Sequence, residues 1–70
     1  MIDAIENLLG LKKLVVNFIV TKFPKNIEIV HILPDIFNTD YLFLDDYHDV
    51  KNQKYKNLKV FNLNGTFYNF

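Results

Sequence analysis

The stretch from Asp3 to Phe23 holds the strongest constraint in the chain, because it places apolar side chains around most of a helical circumference. At 100° per residue, Asp3, Glu6, Asn7, Gly10, Lys13, Asn17 and Thr21 gather on one arc, while Ala4, Leu8, Leu11, Val15, Ile19 and their apolar neighbours fill the rest. Asp3 is placed to cap the free N–H groups of the first turn, with Glu6 completing a capping box. Pro24 ends the segment by pushing Phe23 out of helical geometry. The expectation is one long amphipathic helix whose apolar face is wider than that of an ordinary surface helix, and which therefore needs cover on more than one side. A competing reading makes Leu14–Lys22 a strand, since β-branched residues dominate there and Gly10 weakens a helix by about 1 kcal/mol relative to alanine. That strand would pair with Ile27–Leu33 around Pro24-Lys25-Asn26. The wheel favours the helix, because a strand would put Lys13, Val15, Asn17 and Ile19 on one face and mix polar with apolar.

Beyond Pro24 the pattern changes period. Ile27, Ile29, His31 and Leu33 alternate with Glu28, Val30 and Ile32, and the density of β-branched residues marks a strand. Pro34-Asp35 stops it, and residues 36–39 read as a turn. Tyr41-Leu42-Phe43-Leu44 reads as a central strand covered on both faces, and residues 51–57 as a polar loop. Asn64-Gly65 between apolar runs is a strong hairpin marker. A two-residue turn would pair Leu63 with Thr66; a three-residue loop with Gly65 in a bulge would pair Asn62 with Thr66. The bulged register sorts side chains better, placing Leu58, Val60, Tyr68 and Phe70 on one face and Lys59, Phe61, Phe67 and Asn69 on the other. No segment after Ile27 reads as a parallel crossover and no internal repeat stands out. The expected fold is α+β over residues 1–70 as a single small domain: an N-terminal amphipathic helix packed on a four-stranded antiparallel meander sheet.

With 70 residues, a chain hides only about 60% of its unfolded surface, and with no cysteine it has neither disulfide nor thiolate metal site to supplement the core. Half of the residues are nevertheless apolar, which favours burial against a second copy or a partner protein. The missing cysteines fit a reducing, cytoplasmic compartment, and charges at Asp3, Glu6, Lys12 and Lys13 interrupt any membrane span or signal-peptide core. Net charge is zero and every basic residue is lysine, so the arginine fork that reads guanine and phosphate is missing and nucleic acid is not an expected partner.

Several residues have the chemistry of sites without the spacing. Asp45, Asp46, His48 and Asp49 are hard-metal ligands by type, but on a strand Asp45 and Asp49 point away from Asp46 and His48, and the spacing matches no calcium loop. Serine is absent and no threonine sits in a nucleophile motif; the two glycines, Gly10 and Gly65, build no phosphate loop. His31 in an apolar strand reads as a neutral imidazole bonded to a backbone carbonyl. Pro34-Asp35 with Asp49-Val50-Lys51 resembles the PD-(D/E)xK pattern of a large nuclease superfamily. That resemblance implies two acids holding magnesium and a lysine orienting the attacking water; it covers five residues and the preceding element order.

The functional expectation is a small non-enzymatic interaction module without a cofactor, self-associating as a homodimer or binding and inhibiting a larger protein, in the manner of a phage-type inhibitor. Its interface would be the sheet face bearing Lys59, Phe61, Phe67 and Asn69. The rivals are a minimal metal-dependent nuclease and a small-ligand-sequestering oligomer.

Overall fold

The computed structural model describes residues 2–33 and 43–70, with side chains described from residue 5 onward. Four short strands form one sheet in sequential order: β1 (Lys13–Val16), β2 (Ile29–Ile32), β3 (Val60–Leu63) and β4 (Thr66–Asn69). β1 pairs with β2 and β2 with β3 in parallel, and only β3–β4 is an antiparallel hairpin. A 3-10 segment (Ile2–Asn7) precedes the sheet. A 3-10 turn (Leu44–Asp46) and the four-residue helix α1 (His48–Lys51) lie between β2 and β3.

The expected long helix and antiparallel meander are therefore both wrong. Past Gly10 the backbone extends, and β1 alternates exposed Lys13 and Val15 with half-buried Leu14 and Val16. The mixed face that argued against a strand does occur, and it is tolerated because one side of the sheet is open to water. Residues 17–28 then carry the chain from the end of β1 back to the start of β2 without a helix. A dozen residues is the least that a parallel crossover needs. The hairpin around Pro24 that the competing reading required is absent too: Pro24 is fully buried in this crossover. Of the expected strand Tyr41–Leu44, Tyr41 and Leu42 lie outside the described residues, as do the turn at 36–39 and Asp35; Leu44 opens a 3-10 turn.

Equivalent positions in the parallel strands carry the same spacing of apolar residues. The register aligns Leu14, Val30 and Phe61 in one row and Val16, Ile32 and Leu63 in the next. Leu11, Ile27 and Leu58 occupy the matching place just before each strand. Backbone bonds repeat in the same frame. The Lys12 carbonyl accepts from the N–H groups of Glu28 (2.8 Å) and Ile29 (3.0 Å), and the Glu28 carbonyl from those of Lys59 (2.8 Å) and Val60 (3.3 Å). At the far end, Leu33 N–H donates to Val16 O and Asn64 N–H to Ile32 O, both at 2.8 Å. The three copies of this apolar-x-x-apolar-x-apolar repeat are unequally spaced along the chain, so no fixed period marks them in the sequence.

All of these apolar rows point to one side, where the two connections cover them. Val30, Ile32 and Phe61 are fully buried, joined by Val20, Phe23 and Ile27 from the first connection and Tyr47, Val50, Tyr55 and Leu58 from the second. Phe23 ties the connections together: its N–H donates to the Tyr55 hydroxyl at 3.1 Å, and its ring meets Tyr55 and Phe61 edge-on.

The hairpin takes the register that the side-chain sorting disfavoured. Leu63 pairs with Thr66 across a two-residue turn, with φ of 50° at Asn64 and 91° at Gly65, the pair of positive values that a type I′ turn demands. Phe61 consequently lies opposite Tyr68, and Phe67 opposite Asn62. Among the described residues, no helix is long and apolar enough to cross a membrane.

Candidate functional site: the open face of the sheet

Alternation along the four strands sends every second side chain away from the core, giving two outward rows. Lys13, Ile29, Val60 and Asn69 form one, and Val15, His31, Asn62 and Phe67 the other. Neither described connection crosses this face. Val15 is 56% exposed and Phe67 58% exposed, although both are large apolar side chains on paired strands.

Between them lies a polar pair. Asn62 is only 6% exposed, and its side chain is held at both ends: Oδ1 accepts the Gly65 N–H at 2.8 Å, and Nδ2 lies 2.9 Å from Nδ1 of His31. The His31 ring in turn meets Phe67 edge-on, with centroids 6.0 Å apart. The type I′ turn positions this network, since it brings the Gly65 amide back over Asn62. His31 therefore bonds a side-chain amide on the open face rather than the backbone carbonyl expected from its strand. The turn's Asn-Gly and the lone histidine were legible singly; their meeting was not, because it depends on parallel pairing of β2 with β3.

The expected interface residues are divided by the sheet. Phe67 and Asn69 stand exposed on the outer face, and Lys59 is exposed just before β3. Phe61 is buried in the core, beneath Tyr47 at 5.2 Å between ring centroids, so it does not share a face with Phe67 as expected. The one-residue difference in hairpin register moved every side chain of one strand to the other face.

The acidic cluster is likewise dispersed. Asp45 and Asp46 sit in the 3-10 turn, and His48 and Asp49 in α1. Asp45 is bonded to Lys51, which holds its carboxyl below the usual carboxylate range, and Asp49 pairs with Lys54 at 3.3 Å. Among the described residues, no three His, Cys, Asp or Glu side chains come together as a metal would require. Asp49 and Lys51 of the nuclease-like pattern thus face different partners, and Pro34 and Asp35 lie outside the described residues. An open cleft of about 350 Å³ lined by Asn7, Lys22, Lys25, Asp49 and Lys54 mixes both signs of charge. On the core side, burial pushes the Tyr47 hydroxyl up to about 12, with the negative Asp46 adding to the shift, and the hydroxyl has no hydrogen-bond partner among the described residues.

No protein-family model matches the chain, and comparison with curated proteins and with solved structures finds no match either.

Proposed function

We propose that the chain is a small, non-enzymatic protein-binding module, working in the cytoplasm, whose binding surface is the outer face of the sheet. The observation that carries this reading is the exposure of Val15 and Phe67 on either side of an ordered His31–Asn62 pair. Large apolar groups flanking a small number of fixed polar ones are what a protein interface presents at its centre. The parallel strands with repeated apolar-x-x-apolar-x-apolar spacing support it further, since stacked strand units of this kind bury one face and offer the other to partners. Lys13, Ile29 and Val60 are equivalent, so the steps between units are sixteen and thirty-one residues, either side of the usual range of about 20–29 for such strand repeats. The test is a photo-crosslinking residue placed at position 67 and, as control, at exposed position 56. A discrete protein adduct from 67 alone, lost on Val15→Lys, is expected. Equal adducts from both positions, or none from 67, would overturn the reading.

Self-association is favoured by a different observation. The carbonyls of Lys12 and Val16 face β2, which leaves the N–H and C=O groups of Lys13 and Val15 at the free edge of β1, with exposed Leu8, Leu9, Phe18 and Ile19 flanking in sequence. Such an edge is a template for strand pairing. Light scattering at micromolar concentration should give a dimer mass that falls to monomer in Val15→Pro, because that substitution removes an N–H on the outward edge and none that bonds β2. A monomer mass for the unsubstituted chain would reject it.

A further inference from the structure

We propose that His31 is a fixed hydrogen-bond donor on this face, presenting its Nε2–H to a carboxylate on an apolar segment of the partner protein. The inference rests on the outer face being the binding surface, and it adds the chemistry recognised there. Its basis is a chain of donors and acceptors that admits one assignment. The Gly65 N–H is a donor, so the Asn62 atom facing it at 2.8 Å is the carbonyl oxygen. With the amide turned the other way, two N–H groups would confront each other beside a side chain that is nearly inaccessible to water. The Asn62 NH₂ is therefore directed at His31 Nδ1, 2.9 Å away, and Nδ1 must be the acceptor. A neutral imidazole carries its one proton on the other nitrogen, so the ring is held as the Nε2–H tautomer by an amide that a backbone turn has already oriented.

The surroundings specify what meets that donor. The eight outward side chains hold no acid and one cation, Lys13. Lys13 pairs with Ile29, and His31 lies two residues further along β2, so Lys13 and His31 are diagonal neighbours about 8 Å apart at Cα, within reach of a shared ligand for a long lysine side chain. The ion pairs among the described residues are Lys12–Glu28, Lys51–Asp45 and Lys54–Asp49; Lys13 is in none of them. Val15 and Phe67 supply apolar contact on either side of the donor. A carboxylate flanked by aliphatic side chains complements all four groups, whereas a cationic segment would face Lys13 and find no acid among the outward side chains.

The tautomer is read directly from the ring ¹⁵N shifts in a long-range ¹H–¹⁵N spectrum, recorded about two pH units above the ordinary imidazole value. The expected pattern is pyrrole-type nitrogen at Nε2 and pyridine-type at Nδ1. In Asn62→Asp one carboxylate oxygen keeps the Gly65 amide while the other can only accept, so the tautomer should reverse to Nδ1–H. Recognition is probed with acetylated, amidated tripeptides. Leu-Asp-Leu should move the His31 Nε2 resonance several-fold more than Leu-Lys-Leu, and the response should be lost in Lys13→Gln. An Nδ1–H tautomer in the unsubstituted protein, or an equal or absent response to the two peptides, overturns the proposal. Either failure leaves the crosslink from position 67 to decide the binding surface itself, so the two readings fall separately.

Discussion

The two faces of this sheet are built from adjacent residues of the same four strands, yet one is a core and the other leaves Val15 and Phe67 more than half exposed. Along β3, Phe61 and Leu63 enter the core while Val60 and Asn62 face outward; along β4, Tyr68 packs inward and Phe67 stands in water. Hydrophobicity does not separate them, since valine and phenylalanine occur on both sides. The difference comes from the connections. Those described, residues 17–28 and 43–58, place Val20, Phe23, Ile27, Tyr47, Val50, Tyr55 and Leu58 against one face alone. The inner face spends its apolar area on folding, and the outer face keeps Val15 and Phe67 exposed.

Substitutions should separate the faces, and the largest effect belongs to the core. Phe61→Ala removes a fully buried ring at the junction of Phe23, Tyr47 and Tyr68 and should cost about 3–5 kcal/mol. That is a large share of the about 4–10 kcal/mol a chain of this length holds, so the urea midpoint should fall by roughly half. A smaller loss is expected at the turn that orients the outer network. Gly65→Ala meets no atom within 4 Å at its new Cβ, but φ of 91° strains any L side chain, and a loss of about 1 kcal/mol or more should follow from backbone conformation alone.

Tyr47 sharpens the comparison through pH. Its pKa is raised from 10.0 to about 12 in the fold, so the neutral phenol's contribution is complete below pH 10 and disappears as pH rises through 12. Tyr47→Phe should therefore flatten the fall in Tm over that window. Near neutrality the substitution should change stability by less than about 1 kcal/mol, because the hydroxyl it removes has no partner among the described residues. The smallest effect should come from the outer face, where Val15→Lys is expected to shift stability by no more than about 0.5 kcal/mol. A loss comparable to that of Phe61→Ala would mean that Val15 is buried in the isolated chain, against its 56% exposure.

How much of this was legible in the sequence depended on the range of the interaction. The β2 strand and the Asn64-Gly65 turn were readable because their signals are local: alternation over a few residues, and two positions that accept positive φ. The parallel order was not, because a crossover usually announces itself with a helix and residues 17–28 contain none. The apparent helix at Asp3–Phe23 arose because apolar residues of three separate segments, Leu8 and Leu11 before β1, Val15 and Val16 within it, and Ile19 and Val20 of the connection, fall on one arc of a helical wheel. The bulged register places Phe61 on the outer face, and the expected interface of Lys59, Phe61, Phe67 and Asn69 depends on that register. The signal that would have found the fold was the matched spacing of Leu11-Leu14-Val16, Ile27-Val30-Ile32 and Leu58-Phe61-Leu63.

The one-sided core is tested most directly by thiol labelling, which the absence of natural cysteine makes free of background. Single substitutions Val15→Cys and Phe67→Cys report the outer face, and Val30→Cys and Ile32→Cys the inner. The outer thiols should react with an aromatic disulfide reagent at close to the rate of an unstructured peptide, while the inner ones react only through global unfolding, slower by orders of magnitude. Equal protection on both faces, or none on either, would contradict a sheet with one covered and one open face.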